Sequence, residues 1–228
     1  MIITISRQVG THGAIIGRLV AEKLGLRLFD HELVDEVARR LQVAPGVAVQ
    51  FDEALLNPVQ SVLWEWRSSV NDQLYGRYLR QALNHIAKEG NAVVVGRGAN
   101  FVLHCPGCLH VRIIAPLALR TAIFRTTHDV DEPTAQRMLR EEDEQRQHFV
   151  RHYFHADVTD QEHYDLVINL AGLTPVMVGD IIAHAARLRE TESLPVLPHA
   201  TLPHHIEMMA RHRKAVSPGM VEPSQKLK

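Results

Sequence analysis

The stretch Met1-Ile-Ile-Thr-Ile-Ser-Arg-Gln-Val-Gly10-Thr-His-Gly13-Ala-Ile-Ile-Gly17-Arg18 decides the fold of this 228-residue chain. It opens on a short apolar run rich in β-branched residues, which is typical of a buried strand. Three glycines follow, and the apolar spacing predicts a helix over 14–24 that ends at Gly25. A glycine loop between a strand and a helix N-terminus favours bound anions, because loop N–H groups and the helix dipole both attract negative charge.

The glycine spacing leaves two interpretations open. The phosphate-loop pattern G-x-x-x-x-G-K-S/T is absent, because no lysine follows Gly17 and Leu19 stands where a metal-binding hydroxyl would be. An ordinary tight turn between a strand and a helix would also explain the glycines. The position of the loop favours phosphate, since it follows the first strand of an α/β chain, at the edge where such sheets bind ligands.

The amino-acid composition limits the classes of protein to which this chain could belong. A hydrophobic content of 46% and a charged content of 22% are typical of a globular domain with its own core. The net charge of −1 argues against bulk nucleic-acid binding, so an anion site must be local. The sequence has no apolar run of membrane-spanning length, no secretory signal and only two cysteines. We therefore expect a cytoplasmic protein that has no membrane partner and no disulfide framework.

Apolar runs alternate with segments of helical spacing along the chain. The predicted strands cover residues 2–5, 26–29, 92–95, 109–114 and 164–169. Five such steps predict an α/β fold of three layers with a five-stranded, mainly parallel sheet. Residues 1–192 form this domain, and the Pro- and His-rich residues 193–228 are predicted to be a disordered tail.

A helical insertion over 59–89 separates the second and third predicted strands. Packing between helices is the simplest explanation for its two tryptophans, Trp64 and Trp66. The insertion could also cover a substrate base, or join two copies of the chain as a homodimer.

Two charged side chains follow predicted strands directly. Asp30 either caps a helix over 31–41 or faces a substrate, and capping alone would explain it. Arg97 lies between Gly96 and Gly98, where a charge beside a buried strand needs a partner. That partner is either a carboxylate or a phosphate, which the planar guanidinium matches. We favour the ligand, because parallel sheets bind ligands at this edge.

The segment 104–110 contains two cysteines and two histidines, as metal sites do. A structural zinc site needs four convergent ligands, and the sequence holds no second cysteine pair. The central Pro106-Gly107 is instead typical of a turn before a strand. We therefore predict no metal site here.

Alternating charges fill the segment 132–152, which a solvated helix would explain. At 100° per residue, Arg137, Arg140 and Arg151 share one face and Arg146 points away. An unbroken helix would therefore present three arginines to a polyanion. A lid with a break near Asp143 would bring in all four.

In their order and spacing, these motifs resemble the cytidylate kinase-like family, a branch of the P-loop nucleoside monophosphate kinases. The resemblance spans residues 1–189. The residues that carry it are Ile-Thr-Ile-Ser6-Arg7, Gly10-x-x-Gly13-x-x-x-Gly17-Arg18, Phe29-Asp30, Val95-Gly96-Arg97, Ile114-Ala115-Pro116, Arg140 to Arg151 and Tyr164-Asp-Leu-Val-Ile-Asn169.

The resemblance implies transfer of a phosphoryl group from ATP with Mg²⁺ to a nucleoside monophosphate, for example CMP or dCMP. It assigns the donor phosphates to Gly10, Thr11, His12, Gly13, Ala14, Ile15, Ile16, Gly17 and Arg18. It assigns the acceptor to Arg7, Asp30, Arg97 and Arg137. It assigns charge stabilisation during transfer to Arg140, Arg146 and Arg151 of an arginine-rich lid, and to Arg18. Positioning and charge neutralisation are what phosphoryl transfer requires.

The chain departs from the family pattern at residues that would bind the phosphates, the metal ion and the acceptor base. By glycine register Ile16 stands in place of the loop lysine, the metal-binding Ser/Thr is missing, and Gly98 replaces the Asp of Gly-Arg-Asp. Arg7, Arg18 or a lid arginine would then supply the missing charge. Two alternatives to a nucleoside monophosphate kinase stay open: a nucleotide-binding regulatory protein with weak or no turnover, and a kinase for a different small acceptor.

Overall fold

The computed structural model describes residues 1–30, 69–105 and 107–191 of the chain. The strands are β1 (Ile2–Arg7), β2 (Arg27–Phe29), β3 (Ala92–Val95), β4 (Cys108–Ile114) and β5 (Leu166–Asn169). The helices are α1 (Gly13–Leu24), α2 (Ser69–Glu89), α3 (Leu117–His128), α4 (Glu132–Phe154) and α5 (Pro175–Thr191). Short 3₁₀ turns cover Ala99–Phe101 and Gln161–His163.

The five strands form one parallel sheet in the order β2-β3-β1-β4-β5. This confirms the predicted α/β class and the parallel sheet. Since β1 lies at the centre, the loop that follows it reaches the carboxyl edge between β3 and β4. That edge is where the candidate site lies.

Both faces of the sheet are buried, as continuous apolar strands require. Alternate residues of each strand point to opposite faces. The residues on one face pack against α1 and α5, and they include Ile3, Ile5, Val93, Val95, Val111 and Ile113. The residues on the other face pack against α2 and the end of α4, and they include Ile2, Ala92, Val94 and Cys108.

Helix α1 begins at Gly13 and ends at Gly25, whose left-handed backbone (φ 64°) caps the helix as predicted. The helix crosses the sheet closely, because a Cβ at Gly17 would lie 2.5 Å from Cγ2 of Val95. Ile16 is completely buried in the core beneath the sheet. Its side chain therefore cannot contact a phosphate, which corrects its placement at the lysine position of the loop. Gly13 is the residue at the start of the helix.

Several predictions fall on parts of the chain outside the described residues. These are the helix at 31–41, the first half of the insertion with Trp64 and Trp66, and the tail at 193–228. The second half of the insertion is helical, as α2 shows. The homodimer through 59–89 stays a prediction.

Helix α4 runs without a break from Glu132 to Phe154. Asp131 caps it, with its carboxylate accepting the Thr134 N–H at 3.0 Å. The lid with a break near Asp143 is therefore wrong.

Cys105 and Cys108 are joined by a disulfide across the turn before β4. Their Cα atoms lie 5.2 Å apart, and the Cys108 N–H donates to the Cys105 carbonyl at 3.0 Å. The two cysteines therefore form a local bridge between neighbouring turn residues.

No helix within the described ranges has the length and apolar character that a bilayer crossing demands.

Candidate active site

The loop after β1 is held rigidly at its first residues. The Gln8 N–H donates to Ile113 O at 3.0 Å, and the Gln8 side-chain oxygen accepts the Ala115 N–H at 2.9 Å. The buried Thr11 hydroxyl donates back to Gln8 O at 2.8 Å. These bonds fix the loop to the junction between β4 and α3.

The start of α1 fits an anion. His12 has a left-handed backbone (φ 55°), and the first hydrogen bond of the helix runs from the Ile16 N–H to His12 O at 3.0 Å. The N–H groups of the three preceding helical residues, Gly13, Ala14 and Ile15, therefore have no intrahelical acceptor. Such groups bind phosphate well at a helix N-terminus. Arg18 lies exposed further along the helix, and Gly17 is buried in it.

A buried ion pair ties α4 to this loop. Asp143 accepts the Val9 N–H at 2.9 Å and pairs with Arg120, whose side chain is only 9% exposed. Arg120 also donates to the carbonyls of Ala115 at 3.2 Å and Val9 at 3.3 Å. Sequence analysis assigned neither residue of this pair a role in the site. Asp143 shares one helix stripe with the buried Leu139 and Val150, and that spacing is the signal that points to its position.

The first cavity lies at the carboxyl edge of β1 and β3 and has a volume of about 240 Å³. Three guanidinium groups line it, from Arg7, Arg97 and Arg146, together with the carboxylate of Asp30. The Arg7 side chain crosses from Gly13 at the start of α1 to Gly96 at the end of β3. The structure therefore gathers three of the acceptor residues predicted from the sequence, Arg7, Asp30 and Arg97, around one space.

Two side-chain amides in this cavity have buried polar atoms that a ligand could bind. Asn100 is 5% exposed, and its Nδ2 has no hydrogen-bond partner within the described part of the chain. The same holds for Oε1 of Gln145 on α4. Phe101 and Phe149 line the same cavity. A flat group with polar edges would satisfy both amides, because an unmet buried polar atom is costly.

A second cavity, of about 200 Å³, adjoins the first. Arg7 and Arg146 line both cavities. Arg112 of β4 and Arg140 of α4 complete a set of four guanidinium groups in the second one. Sequence analysis missed Arg112, although a charge inside a buried strand is an unusual feature that marks it.

Arg146 is the arginine of α4 that lines both cavities. Its Nη1 donates to Arg7 O at 3.2 Å. The pKa of the Arg146 guanidinium is lowered, mainly because the group is buried. The nearby carboxylates of Glu142, Asp143 and Asp30 offset part of this shift. Arginine nevertheless stays charged at neutral pH, because its pKa in water is far above 7.

Of the three arginines on the face of α4 predicted to bind a polyanion, only Arg140 lines a cavity of the site. Arg137 pairs with Glu141 on the protein surface at 3.0 Å, and Arg151 is exposed and lines neither cavity. The face that meets the loop is instead the stripe of Leu139, Asp143 and Arg146. Packing of the apolar members sets the helix rotation, and this brings Arg146 inward.

Gly98 explains one departure from the family pattern. Its backbone is left-handed (φ 64°), and a Cβ there would overlap the ring of Phe154. The position therefore has no room for the Asp of Gly-Arg-Asp. Any ligand of this cavity must be bound by other residues that line it.

We expect Gly98→Ala to lower the free energy of unfolding by about 2–4 kcal/mol, since it combines backbone strain with overpacking. Gly90→Ala is the matched control: Gly90 has a similar φ of 70°, but no atom lies within 4 Å of the added Cβ. It should cost only the backbone part, about 1–2 kcal/mol. Urea denaturation of both variants measures the difference, and equal losses would contradict the overlap with Phe154.

The residues at the start of α1 do not fit a metal ion held by the protein. The side chains of Gly13, Ala14, Ile15 and Ile16 contain no metal ligand, and the Thr11 hydroxyl is used by Gln8 O. Within residues 1–30, 69–105 and 107–191, no group of three or more His, Cys, Asp or Glu residues could hold one.

A parallel sheet in this strand order, with a glycine loop after its central strand and an arginine-bearing helix over its carboxyl edge, defines a P-loop kinase fold. Residues 2–171 match the cytidylate kinase-like family, and the chain belongs to that family.

Two known proteins show how far the similarity extends. The cytidylate kinase of Methanocaldococcus jannaschii is 26% identical over 188 residues, which cover 81% of this chain and 97% of that protein. A crystal structure of an uncharacterized protein from Eubacterium ventriosum superposes with a TM-score of 0.63 at 23% identity. That superposition covers 82% of this chain and 98% of the other, and the two share the fold.

Proposed function

We propose that this protein transfers the terminal phosphoryl group of ATP to a nucleoside monophosphate, with CMP or dCMP as the preferred acceptors. The observation that carries the proposal is the meeting of two cavities at Arg7 and Arg146. A phosphoryl group that passes between donor and acceptor would lie at this junction. Membership of the cytidylate kinase-like family and the similarity to a cytidylate kinase support the same reaction.

In this reaction an oxygen of the acceptor phosphate attacks the terminal phosphorus of ATP. The new P–O bond forms as the bond to the bridging oxygen breaks, and ADP leaves. The transition state spreads negative charge over the three equatorial oxygens. Arg7 and Arg146 would neutralise that charge from fixed positions, and Arg97 would orient the acceptor phosphate.

The acceptor's nucleoside would occupy the first cavity. Asp30 offers an acceptor to a hydroxyl or amino group, and the unmet amide atoms of Asn100 and Gln145 suit the edge of a base. Phe101 and Phe149 provide apolar surface for its faces. We expect any magnesium ion to arrive bound to the ATP phosphates, since the start of α1 lacks protein ligands for it.

A nucleotide-binding regulatory protein is the second candidate. It is favoured by the start of α1, which has neither a lysine nor a metal-binding hydroxyl. Such a protein would bind ATP without transferring its phosphate. ADP production with Mg-ATP and a panel of nucleoside monophosphates separates the two candidates, because only the kinase forms ADP in an acceptor-dependent way.

Arg97→Ala tests the acceptor site. We expect it to weaken use of the acceptor about 10- to 100-fold in kcat/KM, because a hydrogen bond to a charged group contributes about 1.5–3 kcal/mol. ATP binding measured by calorimetry should change little, since Arg97 lines only the first cavity. Equal losses of acceptor use and ATP binding would contradict the role of Arg97. The variant also excludes a contaminating kinase.

A further inference from the structure

We propose that the second cavity is a phosphate subsite in which Arg112 of β4 supplies the cation that the glycine loop lacks. As a phosphate site it follows from the cavity itself. Its assignment to the terminal phosphate of ATP rests on the proposed function.

Arg112 is an unusual residue to find inside a sheet. It is 7% exposed, in the middle of a strand whose other residues are mostly apolar. Nη1 donates to the Ser6 hydroxyl at 2.9 Å, and the guanidinium lies 5.6 Å from the centre of the Tyr164 ring. These contacts hold the guanidinium at the cavity that it lines, and they use only one of its five N–H donors.

No carboxylate among the described residues forms an ion pair with Arg112. Asp143 lines the same cavity, but its carboxylate already pairs with Arg120 and accepts the Val9 N–H. Glu144 also lines the cavity, but it is exposed. A buried guanidinium without a carboxylate is costly, and an anionic ligand would offset that cost.

The charges around the cavity favour a dianion. Four guanidinium groups face it, against the carboxylates of Asp143 and Glu144. The arginines come from three elements: Arg112 from β4, Arg7 from the end of β1, and Arg140 and Arg146 from α4. Guanidinium forks that converge from several sides suit a tetrahedral phosphate better than a planar carboxylate.

The place of the cavity explains what the subsite would do. It shares Arg7 and Arg146 with the acceptor cavity, so a phosphate bound here lies next to the acceptor. The start of α1 offers only N–H groups and no lysine. Arg112 would therefore hold the donor's terminal phosphate from the sheet side, where the family pattern uses a loop lysine.

The test measures binding of inorganic tripolyphosphate and of inorganic phosphate to the full-length protein by calorimetry. We expect Arg112→Gln to weaken tripolyphosphate binding about 10- to 100-fold, as the loss of a charge-assisted bond implies. Arg125→Gln is the matched control, since Arg125 is an exposed arginine of α3 that pairs with Glu132. It should change binding less than threefold. Unchanged binding in Arg112→Gln would overturn the proposal.

Two further arms keep the result interpretable. Ser6→Ala serves as the test if Arg112→Gln fails to fold. It removes the hydroxyl that holds Arg112 without removing a charge, and it should weaken tripolyphosphate binding about threefold to tenfold. ATP should displace bound phosphate in competition. Failure of ATP to compete would overturn the assignment to the donor.

The assays of turnover and of phosphate binding distinguish failure of the proposed function from failure of the subsite. A protein without turnover on any nucleoside monophosphate, but with Arg112-dependent phosphate binding, would retain the subsite and refute the kinase. Turnover that persists in Arg112→Gln with unchanged KM for ATP would retain the kinase and refute the assignment of the subsite to the terminal phosphate of ATP.

Discussion

Replacing Arg146 with alanine should lower kcat for phosphoryl transfer by about 10²–10³-fold, the usual effect of removing one preorganised charge from a transition state. Arg146 lines both cavities and donates to Arg7 O at 3.2 Å, so it sits where the transferred group would pass. The KM values for both nucleotides should change much less. Steady-state assays with Mg-ATP and CMP measure all three constants.

Two comparisons make this result specific. Arg146→Lys keeps the charge but loses the planar fork, so its kcat should fall between the wild type and the alanine variant. Arg125→Ala removes an exposed arginine of the neighbouring helix and should leave kcat within twofold. If Arg146→Ala kept full activity, the junction of the two cavities would not be the place of transfer.

Asp143→Ala should cause a large loss of stability. It leaves Arg120 buried without its carboxylate, and breaking a buried pair in this way costs about 3–5 kcal/mol. Because the Asp143 side chain is 27% exposed, we expect about 2–4 kcal/mol, which corresponds to roughly 4–16 °C in Tm for a domain of this size. Thermal unfolding followed by circular dichroism measures it.

The control for this prediction lies on the same helix. Glu141→Ala breaks the surface pair with Arg137, and exposed pairs contribute at most about 1 kcal/mol. The double variant Arg120→Met with Asp143→Leu removes both charges at once. It should recover much of the lost stability, because no buried charge remains unpaired. A single variant as stable as the wild type would show that the pair does not hold α4 to the loop.

Local sequence patterns were sufficient for the elements that build the sheet. The β-branched run at 2–5 and the uninterrupted apolar run at 92–95 predict strands that the structure confirms, because continuous apolar runs of this length need cover on both faces. Gly25 ends α1 as predicted, since its left-handed cap depends on one residue and its neighbours. The charged residues next to strand ends, Asp30 and Arg97, could also be located, because the ends of parallel strands meet at one edge.

Predictions that depended on side-chain contacts between elements were less successful. The charges of 132–152 alternate so regularly that helical spacing alone groups Arg137, Arg140 and Arg151, and leaves Arg146 out. Which face turns inward depends on the packing of Leu139 and Val150 against other elements. Glycine register placed Ile16 at the position of the loop lysine, but its side chain is completely buried in the core.

The sequence by itself therefore determined the α/β class, the parallel sheet, the glycine loop and the edge at which the candidate site lies, because these depend on residue spacing along one segment. Only the tertiary structure decided which cations form the site. Arg112 and Arg146 enter it because β4 and α4, distant in the chain, pack against the loop after β1. Contacts of this kind are set by the rotation and register of whole elements, which no local pattern of residues specifies.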